Sequence, residues 1–80
     1  MKKSLVISYH ENGGVSLSEP LLGEQRHGLV IGFNERGELT FEAFYEHGQR
    51  KFLKIFLAGK LIQIMLFDNN DEMAYSFKSK

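Results

Sequence analysis

Eighty residues, 42% of them hydrophobic, carry ten Lys plus Arg against ten Asp plus Glu, one proline and no cysteine. That length accommodates one domain, 1–80, whose core is small because a chain of this size buries only about 60% of the surface its unfolded form exposes. The missing cysteine excludes disulfides and thiolate zinc sites and suits a reducing cytoplasm, and the zero net charge excludes the global basic field that drives nucleic-acid or anionic-membrane binding.

Met1-Lys2-Lys3 leads into an apolar run too short for a signal-peptide core, so Lys3 to Tyr9 is expected as a first strand rather than an export tag. Onward from there, apolar residues alternate with period two and Gly-containing polar clusters interrupt them, the pattern of an antiparallel meander. Further strands are predicted at Gly14 to Leu17, Gly28 to Asn34, Glu38 to Glu46, Arg50 to Leu57, Leu61 to Phe67 and Met73 to Phe77. The connections are Glu11-Asn12-Gly13, a longer segment from Ser18 to His27 containing Pro20, Glu35-Arg36-Gly37, His47-Gly48-Gln49, Ala58-Gly59 and Asp68 to Glu72. No helix is predicted. The fold class is all-β, with six to seven strands.

The chain also repeats itself. Residues 6–29, 30–53 and 54–77 are each 24 long, and Tyr9-His10-Glu11-Asn12-Gly13 aligns with Phe33-Asn34-Glu35-Arg36-Gly37, as Gln25-Arg26 does with Gln49-Arg50. Three units of this kind meet the minimum for a stacked repeat. The segments Arg26-His27-Gly28-Leu29, Phe33-Asn34-Glu35-Arg36-Gly37-Glu38-Leu39 and Phe44-Tyr45-Glu46-His47-Gly48-Gln49-Arg50 resemble the variant MORN repeat (membrane occupation and recognition nexus). The resemblance implies an elongated antiparallel meander. It also implies the company of bacterial antitoxin and immunity proteins, which bind and silence a cognate toxin.

Pairing Glu38 to Glu46 with Arg50 to Ala58 around His47-Gly48-Gln49 sets Glu46 opposite Arg50, Phe44 opposite Phe52 and Glu42 opposite Lys54 on one face. The other face then carries Tyr45 with Lys51, Ala43 with Leu53, Phe41 with Ile55 and Leu39 with Leu57. Phe44, Phe52 and Phe56 share the first face, and Leu61 to Phe67 is apolar at six of seven positions. An exposed sheet cannot accommodate this on both sides. Either the sheet curls into a sandwich or barrel, or a second copy or another protein covers the Phe44, Phe52 and Phe56 patch.

Charge is segregated along the chain: seven Glu against Arg26 and Arg36 between Glu11 and Glu46, then Arg50, Lys51, Lys54 and Lys60 without acids, then Asp68, Asp71 and Glu72. The acids at Glu35, Glu42, Glu46, Asp68, Asp71 and Glu72 are candidate contacts for a basic partner such as a toxin or nuclease domain. No catalytic residues and no cofactor are expected. There is no Cys nucleophile, nucleophile elbow or phosphate-binding loop, and His10, His27 and His47 lie beside different turns without ligand spacing, so no metal is expected. Asp68 to Glu72 lacks the glycine and distal Glu of a calcium loop. The basic residues among aromatics at Arg50 to Lys54 are offset by Glu42 and Glu46, so neither nucleic acid nor membrane is an expected partner.

The expected function is therefore a non-enzymatic cytoplasmic protein-binding module, first an immunity or antitoxin-like inhibitor that occludes its toxin through acidic turns. The alternatives are a phage- or mobile-element inhibitor of a host nucleic-acid-binding complex, mimicking nucleic acid with the same acids, and a structural homodimer.

Overall fold

A computed structural model describes residues 2–78 of the chain. The strands are β1 (Lys3–Tyr9), β2 (Val15–Leu22), β3 (Gln25–Arg26), β4 (Gly28–Phe33), β5 (Leu39–Glu46), β6 (Gln49–Leu57), β7 (Lys60–Phe67) and β8 (Met73–Lys78). They form one antiparallel sheet in the order β1-β2-β4-β5-β6-β7-β8, with the short β3 paired to β2. This is the expected all-β meander. The sheet does not close: it measures 42 × 37 × 13 Å, and its outer strands β1 and β8 are not hydrogen-bonded to each other. Since two stacked sheets are separated by about 10 Å plus their outer side chains, 13 Å is one layer. The sandwich or barrel expected as one way of covering the aromatic patch is not formed.

Two kinds of turn join the long strands. Gly13, Gly37 and Asp71 hold positive φ at the third position of three-residue loops, where Asn34 N–H bonds Glu38 O and Gly37 N–H bonds Asn34 O, with the same pattern at His10 and Asp68. His47-Gly48 and Ala58-Gly59 are two-residue turns with positive φ at both residues, as hairpins with the right-handed strand twist require. The predicted three-residue turn His47-Gly48-Gln49 is thus one residue shorter, with Gln49 paired to Glu46.

That difference is absorbed by a bulge. The predicted register holds from Phe41↔Ile55 through Phe44↔Phe52, then shifts so that Tyr45 opposes Arg50. The Glu46–Arg50 and Tyr45–Lys51 pairings are therefore replaced, and Lys51 is the extra residue. A shift recurs close to the turn in every other hairpin of adjoining long strands, leaving Ser16, Thr40, Ile62 and Ala74 unpaired. Bulges add local twist to the strand that carries them.

The segment from Ser18 to His27, expected as a loop, is mostly strand: β2 runs on through Pro20 to Leu22. Pro20 is tolerated because the ladder to β4 is interrupted there; β2 pairs with β4 only at Leu17 and Ser18, and Pro20 O accepts from His27 N–H across the gap.

Alternation and register assign the faces. Ala43 opposes Val30 and Leu53, and Phe41 opposes Gly32 and Ile55, on what we term the Val30 face. Val30 and Ala43 are the buried hydrophobic residues among those described, at 1% and 2% exposure. The Phe41 ring occupies the space that a Cβ on Gly32 would need, so this aromatic lies flat on the sheet where a second layer would otherwise cover it.

Two stability predictions follow from the backbone. Gly32→Ala expels the Phe41 ring and is expected to cost roughly 1–3 kcal/mol, read as a lowered urea midpoint, with part of the loss recovered in Gly32→Ala/Phe41→Leu. Ala58 sits at φ 51°, a conformation that costs a side chain-bearing residue about 1 kcal/mol; Ala58→Gly should raise the urea midpoint, and an unchanged or lower midpoint contradicts it.

Candidate functional site

Bonds between neighbouring turns hold the two ends of the meander. At the end formed by the His10 and Asn34 loops, His10 Nε2 bonds Phe33 O at 2.9 Å and Asn12 Nδ2 donates to Glu35 O at 2.8 Å. At the other end, His47 N–H donates to His27 Nδ1 at 3.1 Å, Gly48 N–H to Arg26 O, Gln49 Nε2 to Asn69 O and Lys51 Nζ to Asn69 Oδ1. Each of these joins one turn region to the next hairpin, 18 to 23 residues along. The histidines serve here as links between hairpins. Among the described residues no group of three or more His, Cys, Asp or Glu could hold a metal.

The candidate acids are divided by this geometry. Consecutive turns of a meander point to opposite ends, so Glu35 lies at one end while Glu46, Asp68, Asp71 and Glu72 lie at the other. Asp68 is committed to its own loop, its Oδ1 accepting the N–H groups of Asn70 and Glu72. Asp71 Oδ1 stands 3.4 Å from Arg50 Nε. Glu46 and Glu72 are exposed and form no ion pair among the described residues. Glu42 belongs to neither end; it is half-buried in the middle of a sheet face.

On the Val30 face, long polar side chains lie down over the apolar ones. Arg26 Nε donates to Glu19 Oε2 at 2.9 Å, Nη1 to Tyr45 Oη at 3.2 Å, and the guanidinium lies 5.2 Å from the Tyr45 ring centroid. Burial lowers the Arg26 pKa, but the hydrogen bonds to Glu19 and Tyr45 and the Glu19 charge outweigh it, raising the pKa and fixing the cation. Arg50 is freed from Glu46 by the Lys51 bulge. Its guanidinium lies 3.9 Å from the Phe67 centroid, and the approach to Asp71 lacks hydrogen-bond geometry, leaving the buried Nε–H without an acceptor. Sequence reasoning did not single out Arg26; its seven-residue spacing from Glu19 carries no signal until β3 folds back on β2.

The opposite side, the Phe44 face, lacks such covering. Two rows cross it: Leu29, Phe44, Phe52, Leu66 and Tyr75, then Ile31, Glu42, Lys54, Ile64 and Phe77. Phe44 and Phe52 stack with centroids 5.6 Å apart and planes 12° from parallel, and Phe56 lies on the same face opposite Leu61. Of the ten exposed large hydrophobic residues, seven fall here by register: Leu5, Tyr9, Leu29, Leu61, Leu66, Tyr75 and Phe77. The predicted patch of Phe44, Phe52 and Phe56 is thus brought together and widened by β8. Glu42 and Lys54 stand directly opposite each other in it without forming an ion pair, and Lys54 Nζ extends over the Phe52 ring, 5.4 Å from its centroid.

No helix of the described residues is long and apolar enough to cross a membrane. No family model, curated protein or solved structure matches the chain.

Two of the three ion-paired arginines, Arg26 and Arg36, should behave differently. Arg26→Ala removes a part-buried charged network and is expected to lower stability by roughly 1–2 kcal/mol. Arg36→Ala, whose exposed side chain reaches Glu38 at 3.2 Å, should change it by less than about 0.5 kcal/mol. Urea melts of the two variants in parallel give the comparison; equal losses would contradict the assigned role of Arg26.

Proposed function

We propose that the chain is a non-enzymatic protein-binding module, and that the Phe44 face is its docking surface. The observation that carries the reading is the concentration of exposed large apolar side chains on that one face of an open, single-layer sheet. Apolar area on this scale, with charge confined to Glu42 and Lys54 in its two central rows, is the composition of an interface rather than of a solvated surface.

The likeness of Phe33-Asn34-Glu35-Arg36-Gly37 and Tyr45-Glu46-His47-Gly48-Gln49 to variant MORN repeats supports the immunity or antitoxin-like form of this reading. In that form the chain silences a toxin by covering it. The acids that can steer a basic partner are narrowed to Glu46 and Glu72, at one end of the sheet; Glu35, at the opposite end, is too far removed to share one contact with them.

The test uses Phe52→Glu, which places a charge in the middle of the Phe44 face, and Glu46→Lys/Glu72→Lys, which reverses the loop end. Phe52→Glu should weaken association about 100-fold, whether with itself or with the product of the adjacent gene. The double reversal should slow association with that product about tenfold at low salt and leave self-association unchanged. Association unaltered in Phe52→Glu, with circular dichroism confirming the fold, overturns the docking face; an unaltered salt dependence in the double variant overturns the acidic steering.

A further inference from the structure

The two rows of the Phe44 face are nearly palindromic about the line between β5 and β6. Outward from that line, Phe44 is answered by Phe52, then Leu29 by Leu66; in the next row Glu42 is answered by Lys54, then Ile31 by Ile64. A two-fold axis along the strands on this line, in the plane above the face, exchanges β5 with β6 and β4 with β7 while turning one sheet onto the other. It would bring each residue of these rows from β4 to β7 in one copy over its counterpart in the second.

We propose that the Phe44 face is closed by a second copy of the chain about this axis, with Glu42 of each copy over Lys54 of the other. The inference rests on the docking-face reading and names the occupant. Charge decides the orientation. An axis running across the strands at this level sets Glu42 on Glu42 and Lys54 on Lys54, and like charges brought together in a desolvated interface oppose association. The strand-parallel axis gives two opposite-charge contacts instead, and it supplies the ion-pair partner that Glu42 lacks among the described residues. It also puts aliphatic on aliphatic at Leu29–Leu66 and Ile31–Ile64 and joins the Phe44–Phe52 stacks of both copies.

The remaining geometry agrees. The sheets pack face to face with their strands aligned, within the roughly 30° range of aligned sheet packing. A face of 42 × 37 Å holds the roughly 800 Å² per partner that a stable interface buries. Four strands lie on one side of the axis and three on the other, so β8 comes over β2 of the second copy, its exposed Tyr75 and Phe77 falling over Pro20 and Ser18, while β1 projects past the edge. A second copy about a two-fold axis needs a self-complementary surface, and these two rows provide one.

Sedimentation of the full chain at micromolar concentration should show a dimer. Glu42→Lys and Lys54→Glu, each alone, place like charges across the axis and should weaken self-association about 100-fold. An equimolar mixture of the two single variants should restore dimer to near wild-type strength, as a heterodimer, because each then meets its opposite. Circular dichroism and urea melts show whether each single variant is folded, and Leu29→Glu, remote from the charge pair, serves as the independent disruption if either is not. A monomeric wild type overturns the proposal; if its complex with another protein is nonetheless lost in Phe52→Glu, the docking face stands and only the second copy is removed. A wild-type dimer indifferent to Glu42→Lys and Leu29→Glu, held instead by the β1 or β8 edge, also overturns it.

Discussion

A single-layer sheet has no ceiling, and the rest of this structure is a response to that constraint. Every side chain has neighbours within its face, but no second layer of the described residues lies above it; Val30 and Ala43 reach full burial only because larger residues on adjacent strands surround them. On their face the missing layer is replaced by side chains that lie down: Phe41 over Gly32, Arg26 over Tyr45, Arg50 over Phe67. Long cationic side chains suit this, because their stems cover apolar surface while the charged head keeps polar company. The Phe44 face has only Lys54 over Phe52 and the Phe44–Phe52 stack to offer in the same way. The asymmetry between the faces, rather than any one residue, is what leaves the Phe44 face the less covered of the two.

With so little core, cohesion within the sheet comes from contacts between successive hairpins. The turn-to-turn bonds of His10, Asn12, His27, Gln49 and Asn69 are spaced by about one repeat, so each hairpin is tied to its neighbour at its ends as well as along its ladder. Arrays of this kind gain stability unit by unit through nearest-neighbour interfaces, and their outermost strands are the weakest members. β8 shows this: every residue from Met73 to Lys78 is exposed, although β7 pairs with it along most of its length. Neither β1 nor β8 carries proline or a charge in mid-strand, the usual devices that keep an edge from pairing.

Much of the fold was legible because period-two alternation and Gly-containing turns are local signals, and the Phe44↔Phe52 and Glu42↔Lys54 register follows from them. What escaped the sequence is the behaviour of single residues at the hairpin ends. Whether Lys51 pairs or bulges depends on whether the turn takes two residues or three, and His47-Gly48-Gln49 is compatible with either until His47 is seen at φ 47°. Pro20 argued for a loop because proline cannot donate to a ladder; it lies in a strand because the neighbouring ladder is broken at that point. The placement of the acidic blocks was hidden for a different reason. Residues close in sequence on either side of a strand are carried to opposite ends of the sheet, so a run that looks continuous from Glu35 to Glu46 is not one surface.

The charged pair in the centre of the Phe44 face has a consequence beyond its own contact. A face of apolar side chains alone could be covered in many registers and orientations, since the hydrophobic effect is non-directional. Glu42 and Lys54 remove most of those choices, because any cover that leaves either one desolvated and unpartnered costs more than the apolar contacts around it return. A single polar position fixes register in the same way in coiled coils, at some expense of stability. Here the pair has two stacked aromatics in the adjacent row and is flanked within its own row by Ile31 and Ile64, so the discrimination is exerted where the surface is otherwise least selective. In the proposed closure, Glu42, half-buried and without an ion pair among the described residues, therefore selects the register of the covering copy.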